Sequence, residues 1–324
     1  MNLISRTRQW MRSVREDSLA MRAEIAALRD DIADAKILAA KGLIRRMKAD
    51  AAVHELGEAE FSVFSQFGED GIIQYLIRRT GISPAEASFV EFGVGDYSEA
   101  NTRFLLINDN WRGLIMDSSG PNMAAVRNRP LHWKYDLTVK QAFIDRDSID
   151  DLIASAGFAG RIGLLSIDID GNDYWVWERI SAVAPVIVIV EYNSLFGASR
   201  AVTVPYDPAF DRGRAHYSHL YFGCSLKALE LLASRKGYAL VGCNNAGNNA
   251  FFVKEGHLNG QPKLTAAQAY RECHVRDSRD RAGQLNLLSG QSRIDEIASM
   301  PLLDIETNGT VKISDLMRYN TVNA

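Results

Sequence analysis

The stretch Ser88-Phe-Val-Glu-Phe-Gly-Val-Gly-Asp-Tyr-Ser98 combines an acid with two glycines at chemically useful spacing. Glu91 stands two residues before Gly93, and Gly95 follows. Glycine lets the backbone turn sharply and come close to a ligand. A short apolar strand, a glycine turn and a helix start make a nucleotide-cofactor site in open α/β sheets. An acid at the strand's carboxyl end accepts hydrogen bonds from a cationic or amino-bearing ligand. A dinucleotide fold more often has an apolar residue there, and a glycine where Ser98 stands. Glu-x-Gly-x-Gly after a strand is a signal for S-adenosylmethionine. The bland alternative is an ordinary turn with a solvated glutamate.

Further acids close later strands. Arg112-Gly-Leu-Ile-Met-Asp117 reads as a second strand and Leu131-His-Trp-Lys-Tyr-Asp136 as a third. Ile162-Gly-Leu-Leu-Ser-Ile-Asp168 reads as a fourth. Val186-Ile-Val-Ile-Val-Glu191 reads as a fifth, β-branched as in a strand buried on both faces. Asp168, Asp170 and Asp173 crowd the end of the fourth strand, and Glu191 and Asn193 the end of the fifth. Alternation puts Asp168 and Asp170, the candidate catalytic acids, on one side of an extended segment. Asp168, Glu191 and the Asn193 amide oxygen suit a hard divalent ion, Mg²⁺ or Mn²⁺. Such an ion can hold two vicinal hydroxyls and lower the pKa of one. The plainer alternative is that Asp173 caps the next helix, Asp168 alone touches substrate, and no metal binds. His216 and His219 could supply a base instead, although a loop histidine is more often satisfied structure.

These residues need a scaffold, and the pattern supplies one. A helix with an apolar face at Ile72, Ile73, Leu76 and Ile77, capped by Ser65 or Asp70, precedes the first strand and covers the cofactor mouth. Residues 99–108, with Ser98 as N-cap, read as the next helix. Helical stretches at 149–156 and 174–183 separate later strands. Strands alternating with helices imply a parallel sheet covered on both faces. Residues 193–223 lack periodicity, as for a lid or substrate wall. A helix over 225–236 follows. Then Tyr238-Ala-Leu-Val-Gly-Cys243 and Asn249-Ala-Phe-Phe-Val253 flank a turn too short for anything but an antiparallel hairpin. A parallel sheet closed by an antiparallel last strand is the Rossmann-like class I methyltransferase layout. The polar tail from about residue 257 holds one hairpin, on Asn308-Gly309.

Taken together, Ser65-Gln66-Phe67-Gly68-Glu69-Asp70, Phe89-Val-Glu-Phe-Gly93, Ser98-Glu-Ala-Asn101-Thr102, Trp111-Arg-Gly113-Leu-Ile-Met-Asp117 and Ser166-Ile-Asp168-Ile-Asp170-Gly171 resemble the FkbM-type S-adenosylmethionine-dependent methyltransferases. The resemblance covers roughly residues 61–253. Asp170 stands where that family usually has glutamate, and 193–223 departs from it. It implies O-methylation, often of sugars or of glycosylated and polyketide products. It also implies a cofactor side formed by Gln66, Glu91, Gly93, Gly95, Asn101, Asp117 and Asp136. Glu91 would face the methionine amino group, Asp117 both ribose hydroxyls and Asp136 the adenine amino group. The rivals are an NAD-dependent oxidoreductase, against which Glu91 and the final hairpin argue, and a non-catalytic scaffold with an idle pocket.

Residues 1–50 read differently. Met11, Val14, Met21, Ile25, Leu28, Ile32 and Ala35 fall at heptad spacing, interrupted at Ser18. Asp17, Glu24 and Asp31 then occupy g positions and Arg22, Arg29 and Lys36 the following e positions, the order of a parallel coiled coil and hence a homo-oligomer. The alternative is a single amphipathic helix. Residues 1–15 carry Leu3, Ile4, Trp10 and Met11 among four arginines, which fits peripheral contact with an anionic membrane at its inner face. The expected units are 1–50, a methyltransferase domain at 58–256, and a C-terminal extension at 257–324. A net charge of −3 over 324 residues gives no basic excess for nucleic acid. Cys224, Cys243 and Cys273 lack metal-ligand spacing and are odd in number, which fits a reducing cytoplasm. No apolar run is long enough to span a bilayer.

Overall fold

A computed structural model describes residues 3–49 and 55–320, with the side chains at 3–9, 22, 23, 26, 48, 49 and 317–320 left out of the description. The chain divides into two compact units, residues 1–51 and 52–324.

The first unit is one helix, α1 (Leu3–Ala49), 47 residues long. At 1.5 Å per residue it spans about 70 Å. Its apolar stripe is exposed: Met11, Val14, Met21, Ile25, Leu28 and Ile32 all stand open. Leu3, Ile4, Arg6, Arg8 and Arg22, named for the membrane and coil readings, have side chains outside the described set. Among the described residues no helix is long and apolar enough to cross a membrane.

The second unit is built on a seven-stranded sheet. Its strands are β1 (Ser88–Phe92), β2 (Arg112–Asp117), β3 (Leu137–Gln141), β4 (Gly160–Ile167), β5 (Val183–Glu191), β7 (Tyr238–Cys243) and β8 (Asn249–Lys254). A two-residue strand, β6 (Val202–Thr203), belongs to a second sheet. The large sheet runs in the order β3-β2-β1-β4-β5-β8-β7. Neighbours from β3 through β5 are parallel, and β8 alone runs against them, between β5 and β7. This is the class I methyltransferase sheet.

Alternation along each strand divides the core. Phe89, Ile115, Leu164, Ile187 and Phe251 face α2 (Glu69–Thr80), α3 (Arg103–Asn108) and α4 (Gly120–Arg127). Val90, Met116, Leu165, Val188 and Phe252 face α6 (Ile149–Ser155), α7 (Asp173–Arg179) and α9 (Leu226–Lys236). The apolar run Val186–Val190 is explained by this double covering. Local signals set the helix ends. The Ser225 hydroxyl accepts the Ala228 N–H at the start of α9, and left-handed Gly237 ends it. At α2, Ser65 and Asp70 lock each other instead of capping by position. Asp70 Oδ2 accepts the N–H groups of Val63, Phe64 and Ser65, and the Ser65 hydroxyl accepts that of Asp70.

Three expectations fail locally. The helix after the glycine turn begins at Arg103 because Asn101 and Thr102 are held back in the turn. The segment 131–136 is not the third strand. Pro130 opens a helical turn, α5 (Pro130–Lys134), and β3 starts only at Leu137. Asp136 therefore lies at the amino end of the strands, where its carbonyl accepts the Gly113 N–H and its exposed carboxylate faces Arg112 at 3.7 Å. Residues 193–223 are not irregular throughout. They contain β6 and the short α8 (Arg212–Ala215).

The tail completes them. After α10 (Ala266–Ala269) and α11 (Gln291–Glu296), β9 (Pro301–Asp304) and β10 (Thr310–Lys312) form the expected hairpin, followed by α12 (Ile313–Asn320). β9 also pairs with β6, making a three-stranded sheet. Leu195, Val202, Val204, Leu220, Ile297, Leu302 and Ile313 form one apolar cluster between loop and tail. The tail thus belongs to the same compact unit as the large sheet.

Candidate active site

Gly93 and Gly95 differ in what they require. Gly93 has φ +72°, and a Cβ there would lie 1.5 Å from the Asp168 carbonyl oxygen. The ends of β1 and β4 can meet backbone to backbone only because Gly93 has no side chain. Gly95 has φ +54° and faces open space. Its N–H donates to Asp117 Oδ2 at 2.9 Å, and Ser119 N–H donates to Asp117 Oδ1 at 2.7 Å. Each carboxylate oxygen so held keeps acceptor capacity toward the cleft.

The cleft beyond these strand ends has three lobes, and Gly93 and Asp168 line all of them. The first, about 390 Å³, is lined by Gln66, Glu69, Glu91, Asn101 and Asn249. The second, about 300 Å³, is lined by Asp117, Ser118, Phe143, Ile144, Asn172 and Phe210. The third, about 370 Å³, is lined by Gln66, Asp170, Glu191, Asn193, Arg212 and Arg293, among others.

Glu91 is buried, and its carboxylate is engaged. Oε1 accepts the Asn101 N–H at 2.8 Å, and Oε2 accepts the Thr102 N–H and hydroxyl at 3.1 and 2.5 Å. Its first task is to hold the loop that follows the glycines. Asn101 in turn donates to the Ser166 hydroxyl of β4 at 3.1 Å. Burial pushes the Glu91 carboxyl up to about 7, against the lowering pull of those hydrogen bonds.

The ends of β4 and β5 bring acids together. One carboxylate oxygen from each of Asp168, Asp170 and Glu191 lies within 4.8 Å of the others. The route differs from the expected extended segment, because Asp170 sits in a left-handed turn, φ +56°. Asp173 fixes that turn by accepting the Ile169 and Gly171 N–H groups, both at 2.9 Å. Burial, then repulsion from Asp170 and Asp173, holds the Asp168 carboxyl well above the usual carboxylate range. Burial and repulsion from Asp168 do the same to Glu191. Glu191 Oε2 is buried without a hydrogen-bond partner.

Arg212 offsets part of this charge. Its guanidinium donates to Asp170 at 2.6 Å, to Asp277 at 2.9 Å and to the His219 carbonyl at 2.5 Å, and lies over the Phe222 ring. Burial lowers its pKa, but the carboxylates of Asp170, Glu191 and Asp277 outweigh that and raise it.

Gln66, Glu91, Gly93, Gly95, Asn101, Asp117, Asp168, Asp170, Glu191 and Asn193 all line the cleft. Three expectations are corrected. Asp136 is at the wrong end of the sheet for adenine; Phe143 and Ile144, just beyond β3, stand there instead. Asn193 lines the third lobe, but its amide is spent on backbone. Its oxygen accepts the Leu195 N–H at 3.1 Å, and its nitrogen donates to the Leu220 and Phe222 carbonyls. His216 and His219 line no lobe. His216 Nδ1 pairs with the Ser218 hydroxyl at 2.7 Å, and the His219 ring packs against Gly213. Residues to which the sequence reading gave no role in the site complete it. Glu69 accepts from Asn244 and Asn249, and Arg212, Asp277 and Arg293 line the third lobe.

No family model matches the sequence, and no curated protein matches it. Among solved structures the chain is similar to the DszA carbon methyltransferase, at 12% identity over 58% of this chain and 54% of that one, TM-score 0.38. It is similar to the mitomycin 7-O-methyltransferase MmcR at 13% identity over 57% and 56%, TM-score 0.33. A third is an S-adenosylmethionine-dependent methyltransferase from Geobacter sulfurreducens in complex with S-adenosyl-L-homocysteine, at 13% identity over 60% and 70%, TM-score 0.32. The alignment spans little more than half of the first two chains. The fold assignment rests on strand order and direction.

Because Glu91 titrates near 7 in the fold and near 4.5 when free, the folded state binds its proton more tightly. Its stabilising share is complete below about 4.5 and is lost as pH rises through about 7. Glu91→Gln removes this titration, although one backbone N–H then loses its acceptor. Urea unfolding across this pH range should therefore show a shallower fall of stability for the variant than for the wild type, whatever their absolute difference. Parallel pH profiles would show that Glu91 does not carry the raised pKa.

Proposed function

We propose that the chain is an S-adenosylmethionine-dependent O-methyltransferase of the FkbM type, acting on a hydroxyl of a sugar or of a glycolipid or polysaccharide precursor. The observation that carries this reading is the backbone contact of Gly93 with Asp168, which sets a glycine-turn cleft and an acid cluster side by side. The residues fit the cofactor. Asp117 offers two fixed oxygens to a ribose, Gly95 leaves room beside them, and Phe143 gives an apolar surface for a base. The polar first lobe, with Gln66 and an unpartnered Asn249 amide oxygen, suits an amino acid end. When bound, S-adenosylmethionine supplies an activated methyl group.

The protein's own part is alignment and proton removal. An acceptor in the third lobe has Asp168 beside it. With its carboxyl held above the ordinary range, Asp168 is a stronger base than a solvated aspartate and takes the hydroxyl proton. Arg212 pairs with the neighbouring Asp170 and holds it in place. The acid trio also fits a divalent ion: all donors are hard oxygens, and Glu191 Oε2 has no other partner. Asp168, Asp170 and Glu191 would hold Mg²⁺ or Mn²⁺, which would lower the pKa of an acceptor hydroxyl. The exposed seam of α1, with Glu24–Arg29 in g-to-e order, supports assembly as a parallel homo-oligomer. A cytoplasmic site of action, with peripheral membrane contact through residues 1–15, accords with the same composition.

Calorimetry should detect S-adenosylmethionine binding, and Asp117→Ala should weaken it by on the order of 1.5–3 kcal/mol. An unchanged dissociation constant would reject the ribose role. Transfer of labelled methyl from the cofactor into fractionated cell glycans tests the reaction itself.

Asp168→Asn and Glu191→Gln should abolish turnover while leaving cofactor affinity within about twofold. A chelator that stops the wild type, with recovery on adding Mg²⁺ or Mn²⁺, supports the metal. Chelator resistance removes the metal and keeps Asp168 as base. Full activity of both variants removes the site.

Deleting residues 1–50 should give monomers by light scattering. Retention of the oligomer would place the interface elsewhere.

A further inference from the structure

The third lobe contains a cation that the chemistry above does not use. Arg293, in α11, is 7% exposed and lines the lobe. One of its terminal nitrogens donates to the Cys273 carbonyl at 3.0 Å. Its Nε is buried with no hydrogen-bond partner. Among the described residues, no ion pair involves it. Asp277, an acid of the same lobe, is bonded to Arg212. The two arginines therefore differ in kind. Arg212 is saturated by two carboxylates, a carbonyl and an aromatic face. Arg293 has one carbonyl, which satisfies one N–H and neutralises no charge.

A buried guanidinium without a counter-charge is expensive and is kept where something pairs with it. Its planar fork matches the two oxygens of a carboxylate or phosphate. The surroundings hold it in position for that. Ile297, four residues on, is fully buried in the cluster between loop and tail. The Cys273 N–H donates to the Ser194 hydroxyl at 3.1 Å, and the Tyr270 hydroxyl donates to the Ser194 carbonyl at 2.9 Å, tying this segment to the exit of β5.

We propose that Arg293 recognises an anionic group on the methyl acceptor, so that the substrate is an acidic carbohydrate bearing a carboxylate or a phosphate. This rests on the third lobe being the acceptor site. The acids of that lobe gather at Asp168, Asp170 and Glu191 and would repel an anion, while Arg293 would hold it. A charged sugar is thereby oriented, its anion at Arg293 and a hydroxyl toward Asp168.

The test is calorimetry on the full chain with glucose, glucuronate and glucose 1-phosphate, each with and without S-adenosylhomocysteine. At least one charged sugar should bind about tenfold or more tightly than glucose. The better of the two identifies the anion as carboxylate or phosphate. Arg293→Gln should erase the preference and leave S-adenosylhomocysteine affinity unchanged. If that variant does not fold, Arg293→Lys serves. It keeps the charge and loses the fork, so it should lower the preference without abolishing it. Equal binding of all three sugars, no binding of either charged sugar at millimolar concentration, or an undiminished preference in the folded variant would overturn the proposal. Loss of S-adenosylhomocysteine binding by the wild type, with the sugar preference intact, would instead remove the methyltransferase reading and leave the anion site.

Discussion

The site depends on one steric fact, that the backbone of Gly93 touches the carbonyl of Asp168 where no Cβ could fit. Strands β1 and β4 are neighbours, and the contact at their carboxyl ends draws the glycine turn against the acid-bearing turn. Everything beyond the sheet is arranged around that junction. Glu91 holds the loop on one side of it, Asp117 fixes the turn below it, and Asp173 fixes the turn opposite. These three acids act chiefly by accepting backbone N–H groups. Buried carboxylates are used here as clamps because they accept several donors at once, which a neutral side chain of the same size does less well.

Gathering Asp168, Asp170 and Glu191 within 4.8 Å has an electrostatic cost that the fold only partly offsets. Arg212 brings one positive charge and shares it with Asp277. The remaining repulsion, added to burial, raises the carboxyl pKa values of Asp168 and Glu191. A structural ion-pair network would balance its charges more closely. An imbalance left at the open end of a parallel sheet, where ligands bind, is what a proton acceptor or a cation site requires.

How much of this was legible follows from what is local. β1 is the apolar strand expected before the glycine turn and β2 matches its expected strand to the residue, because an apolar run beside a glycine or before an acid is a short-range signal. The final hairpin was legible because its turn admits only one topology. The third strand was misread because Leu131 and Trp133 alternate with polar residues as in a strand, while Pro130 starts a helical turn that the alternation conceals. That error carried Asp136 to the wrong end of the sheet. The histidines misled for another reason: residue type suggested a base, and only tertiary placement shows His216 and His219 turned to local partners. Arg212, Asp277 and Arg293 could not be found by pattern. Asp277 and Arg293 lie 65 and more residues from Arg212, and nothing local marks one arginine of the tail from another.

On the proposed reading, the placement of the tail says where acceptor specificity resides. The first two lobes are built from the large sheet and the loops that join its strands, from Gln66 to Asn249. The third takes Cys273, Val275, Asp277 and Arg293 from beyond the last strand of that sheet. The pairing of β6 with β9 and the apolar cluster around Leu302 fix the end of the tail, and the Cys273 N–H donates to the Ser194 hydroxyl at the exit of β5. Of the wall itself, Arg293 is buried, and Cys273, Val275 and Asp277 are half-buried. With the third lobe proposed as the acceptor site, changes in the tail would alter which acceptor fits while the glycine turn and Asp117, anchored to β1 and β2, stay as they are.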